Sequence, residues 1–392
     1  MTMEMRIPLS APEITEADIE AVVNVLRTPR LSIGPRMVEF EQAMAEAAGV
    51  PYGIAVSSGT AGLHLCLSAL GIGEGDEVIL PSFTFIAAGN VVLYQRATPV
   101  FVDIDPITLN LNPDRLEKAI TPRTGAIIVV HTFGHPADLG PILDVARKHG
   151  VPVIEDACEA IGAQYRGRTV GGIGDFGVFG FYPNKPITTG EGGMVVTRDA
   201  GLADTMRALR NQGRMTTDGW LDHSLLGYNY RLSEMNCALG VAQMKRLGEI
   251  LEGRESVAIR YANALQEISE VTLPPLKIEG GRLCWFVFVI RLAAQFARED
   301  RDSICEQLTA QGIGCGRYFA PLHKQPLFAA YANPLDDLAI TEQVADRTLA
   351  LPFFNGLTDA QITEVCGSLR DAIRGIPECS PQAASAAAGP KT

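Results

Sequence analysis

The chain has 392 residues, 47% apolar and 20% charged, a globular balance with room for two domains or for one large domain carrying a smaller one. Its 33 Lys and Arg against 45 Asp and Glu leave a net charge of −12, which argues against binding a nucleic-acid backbone but leaves small anionic substrates open. The eight cysteines include no C-x-x-C pair and read as scattered reduced thiols, with neither a disulfide framework nor a metal site expected. The opening MTMEMRIPLS has no basic-then-apolar leader, and no apolar run approaches the ~18 residues of a membrane span. The expected compartment is cytoplasmic, with no membrane partner.

The first periodic segment is TEADIEAVVNVLRT, where Thr15 and Asp18 form a capping-box start and Ile19, Val22, Val23 and Leu26 recur at helical spacing. From about residue 54 short apolar runs alternate with helices: EVIL (77–80), TPVFVDI (98–104), AIIVVH (126–131) and VPVIED (151–156), with GPILDVARKHG as a helix between the last two. Near-continuous β-branched runs joined by helices predict parallel strands covered on both faces. Two more runs, FGVFGFY and GGMVVT, flank a Thr- and Gly-rich turn. Beyond about residue 245 the pattern changes to a long helix, a strong strand over 282–292, and helices around EDRDSICEQLTAQG and 359–374. This reads as an α/β domain followed by a smaller α+β domain. The final ECSPQAASAAAGPKT lacks apolar anchors and predicts a disordered tail.

Three local features carry chemistry. Ser58, Gly59, Thr60 and Ala61 open a predicted helix, so free N–H groups, the positive dipole end and two hydroxyls make an anion site, although a plain N-cap gives the same letters. Asp156 ends a predicted buried strand, where α/β folds place ligands; Glu155 is the rival residue, and a helix cap is the plain reading. Lys185 sits in a turn between two apolar strands, a place where desolvation frees an amine for nucleophilic or base chemistry, though most lysines are simply solvated. Taken together, a phosphate cradle, a strand-end carboxylate and a turn lysine meet the needs of pyridoxal 5'-phosphate (PLP).

The strings SSGTAGLHLCLSALG, GDEVILPSFTF, VIEDACEAIGA, GFYPNKPITTGEGG and LGYNYRLSEMNCALG resemble, in that order, the DegT/DnrJ/StrS family of PLP-dependent nucleotide-sugar aminotransferases. The likeness runs from about residue 6 to about residue 375. It implies the aspartate-aminotransferase-like fold type I of PLP-dependent enzymes. Residues 1–245 would form a large α/β domain with a mainly parallel sheet, 246–377 a small α+β domain, and 378–392 the tail.

Residue by residue, the resemblance implies that Lys185 carries the cofactor as a Schiff base and shuttles the substrate proton. Asp156 would hold the pyridine nitrogen protonated, Glu159 would approach the ring hydroxyl, and Phe85 would cover the ring face. Ser58, Gly59, Thr60 and Ala61 would take the phosphate, and Asn229 would reach the phosphate in the neighbouring subunit, implying a homodimer with shared sites. The resemblance would put a phosphate-binding Ser, found in many relatives, where this chain has Gly180, so either Ser58 and backbone amides complete the cradle or phosphate affinity is lower.

His323, in PLHKQP, is a candidate sugar or pyrophosphate contact, with a structural loop His as the alternative. Arg207, Arg210 and Arg214 read as a solvated helix face rather than a diphosphate site. The implied reaction moves the amino group of L-glutamate to a keto group, C4 above C3, of a nucleotide-linked 4-keto-6-deoxy sugar, in amino-sugar biosynthesis for polysaccharides or antibiotics. A cyclitol ketone and a non-catalytic PLP- or sugar-binding regulator are the alternatives. Lys185 argues against the family's dehydratase branch, which has His at that position.

Overall fold

The computed structural model describes residues 5–215, 219, 222–332 and 337–376; the predicted tail lies outside the described residues. The first part of the chain runs α1 (Glu16–Leu26), α2 (Pro35–Ala48), β1 (Tyr52–Val56), α3 (Gly59–Ala69), β2 (Glu77–Pro81), α4 (Ala87–Tyr94), β3 (Thr98–Val102), α5 (Pro113–Ala119) and β4 (Thr124–Val130). It continues through α6 (Leu139–His149), β5 (Val153–Asp156), a small hairpin of β6 (Gln164–Tyr165) and β7 (Arg168–Thr169), β8 (Phe176–Gly180), β9 (Gly193–Thr197) and α7 (Ala200–Arg210). The rest comprises α8 (Glu234–Lys245), α9 (Leu247–Leu265), β10 (Val271–Thr272), β11 (Phe288–Leu292), α10 (Arg298–Ala310), α11 (Ala339–Arg347), β12 (Thr348–Leu351) and α12 (Asp359–Arg374).

Seven strands form the main sheet in the order β1-β9-β8-β5-β4-β2-β3. The β8-β5-β4-β2-β3 ladders are parallel, and β9 runs antiparallel to both β1 and β8. Buried side chains on both faces explain why these strands read as continuous apolar runs. Ile154, Phe176 and Val178 pack with Leu63, Leu67, Val91 and Met206 on one face; Val153, Ile127 and Val129 pack with Leu139, Ile142 and Ala146 on the other. A buried leucine of this kind is worth about 1.5–3 kcal/mol.

A second sheet, β10-β11-β12, is antiparallel and shares a core with α9, α10 and α12. Ile7 belongs to that core: its N–H donates to Gly312 O at 3.0 Å and its carbonyl accepts from Gly314 at 2.8 Å. The start of the chain therefore packs with the C-terminal sheet rather than with the residues that follow it.

Two sequence expectations are revised. The strand expected over 282–292 begins only at Phe288, because the Arg254 guanidinium takes the carbonyls of Trp285 and Phe286 at 2.6 and 2.9 Å and Cys284 donates to Gly134 O. Helix α1 has its predicted capping box, yet it turns Asp18 and Val25 inward, leaving Ile19 and Leu26 about half exposed. The Asp18 carboxylate is buried because it accepts from Thr15 and, at 3.0 Å, from Gln243 of α8.

Candidate active site

Strand alternation settles which carboxylate faces the site. Asp156 shares a face with Ile154 and points toward the start of α3, while Glu155 shares a face with Val153 and points away. Glu155 is fully buried and accepts from the backbone N–H groups of Gly171, Ile173 and Gly174 at 2.6–2.7 Å and from His131 at 3.0 Å. Burial alone would raise its pKa, but His131 and these N–H groups hold the carboxyl below its usual range. Ala137 donates to Nδ1 of His131, which makes Nε2 the protonated nitrogen. Glu155 is a structural anchor, and the rivalry resolves in favour of Asp156.

A cavity of about 420 Å3 opens at the carboxyl edge of the sheet. It brings together Ser58, Gly59, Thr60, Phe85, Asp156, Glu159, Gly180 and Lys185, with Phe286, Tyr318 and Phe319 as its far wall. Ser58 caps α3 by accepting from Ala61 N–H at 3.1 Å. The Ala61 N–H is thus taken by Ser58, and Ala61 is buried outside the cavity lining. The N–H groups of Gly59 and Thr60 meet no acceptor among the described residues, as expected in the first turn of a helix. A Cβ on Gly59 would come within 2.6 Å of Cys158 Sγ, so only glycine lets the helix start sit this close to β5.

Lys185 is fixed by its turn. Its N–H donates to Tyr182 O at 2.9 Å, the Thr189 N–H and the Thr188 hydroxyl donate to Phe181 O, and Asn236 of α8 holds the far side through Glu191 O. Its Nζ lies 3.5 Å from Glu159 Oε1 and 3.8 Å from the centre of the Phe286 ring, with only 14% of the side chain exposed. Glu159 also accepts from Phe133 N–H at 2.9 Å. Burial pushes the Glu159 carboxyl above its usual value, with the nearby Asp156 adding to this, while Lys185 and the Phe133 N–H pull the other way.

Phe133 has a left-handed backbone (φ 56°), and Gly134 follows at φ 84°, where a Cβ would overlap Cys284 O. This paired turn aims the N–H at Glu159. Nothing in the sequence reading pointed to Phe133, Gly134 or Phe286, because each acts through backbone shape or a long-range approach.

Other predicted residues fall elsewhere. Phe85 stands at the cavity rim, 61% exposed. Asn229 is exposed and outside the cavity lining of its own chain, bridging to Asn211. His323 is not in the cavity either: its ring is nearly buried, Nδ1 lies 2.6 Å from Ser82 Oγ, and Nε2 lies 3.0 Å from Glu342. Ser, His and Glu are aligned there as in a hydrolase, but Ser82 is fully buried, so the group serves as a brace between β2 and α11. Of the basic trio, Arg207 pairs with Asp204 on its own helix, whereas Arg210 is buried against Glu41 and Ala55 O and so departs from the solvated face expected.

The groups left over fit PLP. Two unpaired N–H groups at a helix start suit a phosphate, the strand-end carboxylate suits a pyridinium, and the shielded lysine suits an aldehyde. Asn184 Oδ1, at the same cavity, is buried without a hydrogen-bond partner.

A family model for DegT/DnrJ/EryC1/StrS aminotransferases matches residues 12–370. The chain belongs to this family. It is 44% identical over 366 residues to GDP-perosamine synthase of Caulobacter vibrioides, covering 93% of this chain and 97% of that protein. The aminotransferase TlmJ of Streptoalloteichus hindustanus superimposes with a TM-score of 0.88 at 34% identity, over 94% of this chain and 99% of the other. Spr1654 of Streptococcus pneumoniae, solved in its PLP form, gives 0.88 at 27% identity, over 94% and 98%. Like its family, the chain is a PLP-dependent sugar aminotransferase with the fold type I architecture. No helix among the described residues is long and apolar enough to cross a membrane.

Proposed function

We propose that the enzyme transfers the amino group of L-glutamate to the C4 keto group of a nucleotide-linked 4-keto-6-deoxy sugar. The observation that carries this reading is the meeting of Lys185, Asp156 and the Gly59–Thr60 N–H groups in one cavity, combined with 44% identity to a protein named for a GDP-linked sugar.

When bound, PLP supplies an electron sink for charge developing at the substrate carbon. The protein does the rest. Gly59 and Thr60 hold the phosphate. Asp156, whose Oδ1 accepts from the Cys158 N–H at 3.1 Å and is oriented by it, would pair with the ring nitrogen. Lys185 Nζ, positioned by Glu159, would be the group that holds the cofactor and that carries a proton to and from the substrate carbon. Phe85 and Tyr182, both more than half exposed, narrow the mouth and limit water.

The active unit in this reading is a homodimer. Ile14, Ile19, Leu26, Leu31, Ile33 and Val38 are all at least 44% exposed, an apolar surface around α1 and the start of α2 suited to a second copy. Asn229, outside its own cavity, would then serve the partner's. Incubating the enzyme with L-glutamate and either GDP- or dTDP-linked 4-keto-6-deoxy sugars, followed by NMR of the product, tests the substrate. A 4-amino sugar supports the proposal, and recovery of both keto sugars unaminated overturns it.

A further inference from the structure

Cys305 and Cys315 bring their sulfur atoms within 2.8 Å of each other. Cys305 is on the buried face of α10, and Cys315 lies half-buried in the segment that follows. That segment is held on several sides. Gly314 N–H donates to Ile7 O, Gly316 exchanges two hydrogen bonds with Ala350 of β12, and Arg317 pairs with Asp302 of α10 at 2.7 Å. Immediately beyond come Tyr318 and Phe319, the far wall of the active cavity. The two thiols thus connect a helix of the C-terminal core to the strip of chain that shapes the site.

Their chemistry differs from that of the other described cysteines. Burial pushes Cys66, Cys158, Cys237, Cys284 and Cys366 upward, Cys284 and Cys366 to about 12. Cys305 is lowered, first by its hydrogen bond with Cys315 and further by Arg317 and Arg301, while Cys315 is raised because it keeps the shared proton. The pair therefore loses its first proton more readily than a buried thiol standing alone, and Cys315 is the less buried of the two residues.

We propose that Cys305 and Cys315 are a reversible dithiol–disulfide pair whose oxidation ties α10 to the segment carrying Tyr318 and Phe319. A low-molecular-weight disulfide such as oxidised glutathione is the oxidant. The pair's thiolate attacks one of its sulfurs and expels a glutathione thiolate. The second protein sulfur, its proton given to water, attacks the mixed disulfide and expels the other glutathione. Two protein thiols become one disulfide, and one small disulfide becomes two thiols.

The test uses PLP-loaded enzyme equilibrated in glutathione buffers of rising oxidised fraction, acid-quenched, alkylated and peptide-mapped without reduction. The expected result is a linked Cys305–Cys315 peptide that disappears with dithiothreitol. Amide hydrogen exchange over 311–319 should be slower in the linked form, and Cys305→Ser and Cys315→Ser should each abolish the link. Full alkylation of both thiols in the most oxidised buffer, or arrest at a stable glutathione adduct, would overturn the pair. A link with unchanged exchange over 311–319 would overturn the tether. The wild-type readouts suffice if a variant fails to fold, and none depends on the sugar chemistry.

Discussion

Lys185 Nζ lies 3.5 Å from the Glu159 carboxylate, and both side chains are at least 86% withdrawn from solvent. The amine is held in place by a single carboxylate, an aromatic face and its own turn. Replacing Lys185 with Ala should leave the fold intact by circular dichroism while lowering single-turnover transamination by about 10³-fold or more, since the proton carrier is gone. Loss of less than tenfold would remove Lys185 from the chemistry.

Glu159 makes the stability of the cofactor-free protein depend on pH. Its folded carboxyl is raised above the usual 4.5, so the folded state holds its proton longer than the unfolded chain does. Below about 4.5 both states are protonated and the difference vanishes; as pH rises through the folded value, the unfolded state is favoured. The gap between wild type and Glu159→Gln in urea unfolding should therefore shift against wild type as pH rises from 4 to 7. A gap that does not vary with pH would mean that burial does not control this group.

Glu155 behaves in the opposite sense. Its folded pKa is lowered, so its contribution is present above the usual value and is lost as pH falls through the folded one. Glu155→Gln leaves some of the N–H groups of Gly171, Ile173 and Gly174 without an anionic acceptor and should cost about 3 kcal/mol at pH 7, read by denaturant unfolding. A loss under about 1 kcal/mol would contradict the anchor role.

The strands were legible because parallel strands buried on both faces leave β-branched runs, and four of the expected runs coincide with β2 to β5. The orientation of α1 was not, since its apolar stripe fits a partner surface as well as a core and only the Asp18–Gln243 bond shows which face turns inward. Lys185, Asp156 and Gly59 could be read from local strings. The cap bond that engages the Ala61 N–H and the hydrogen bond from His323 across 241 residues to Ser82 leave no local trace in the sequence. Phe133 and Phe286 enter the site through a positive φ and a carbonyl clamp from Arg254, which no residue pattern encodes.

Gly180 lines the cavity beside Gly59 and brings no side-chain donor to it. A Cβ there would sit 3.3 Å from Cys158 Sγ and 4.0 Å from Gly59 Cα, a tight but feasible fit. Gly180→Ser should add one hydroxyl near the Gly59–Thr60 N–H groups and tighten PLP binding by about 2- to 12-fold, the worth of one hydrogen bond, measured by fluorescence titration. Weaker binding would show that the cradle is already complete.

The most direct test of the account is the absorption spectrum of PLP-loaded enzyme before and after L-glutamate, with 2-oxoglutarate measured in parallel and Lys185→Ala alongside. The account predicts that the visible band of the wild type gives way to that of the pyridoxamine form, with one 2-oxoglutarate released per site, while Lys185→Ala binds PLP and stays unchanged. A wild-type band untouched by L-glutamate, or equal conversion by Lys185→Ala, would contradict it.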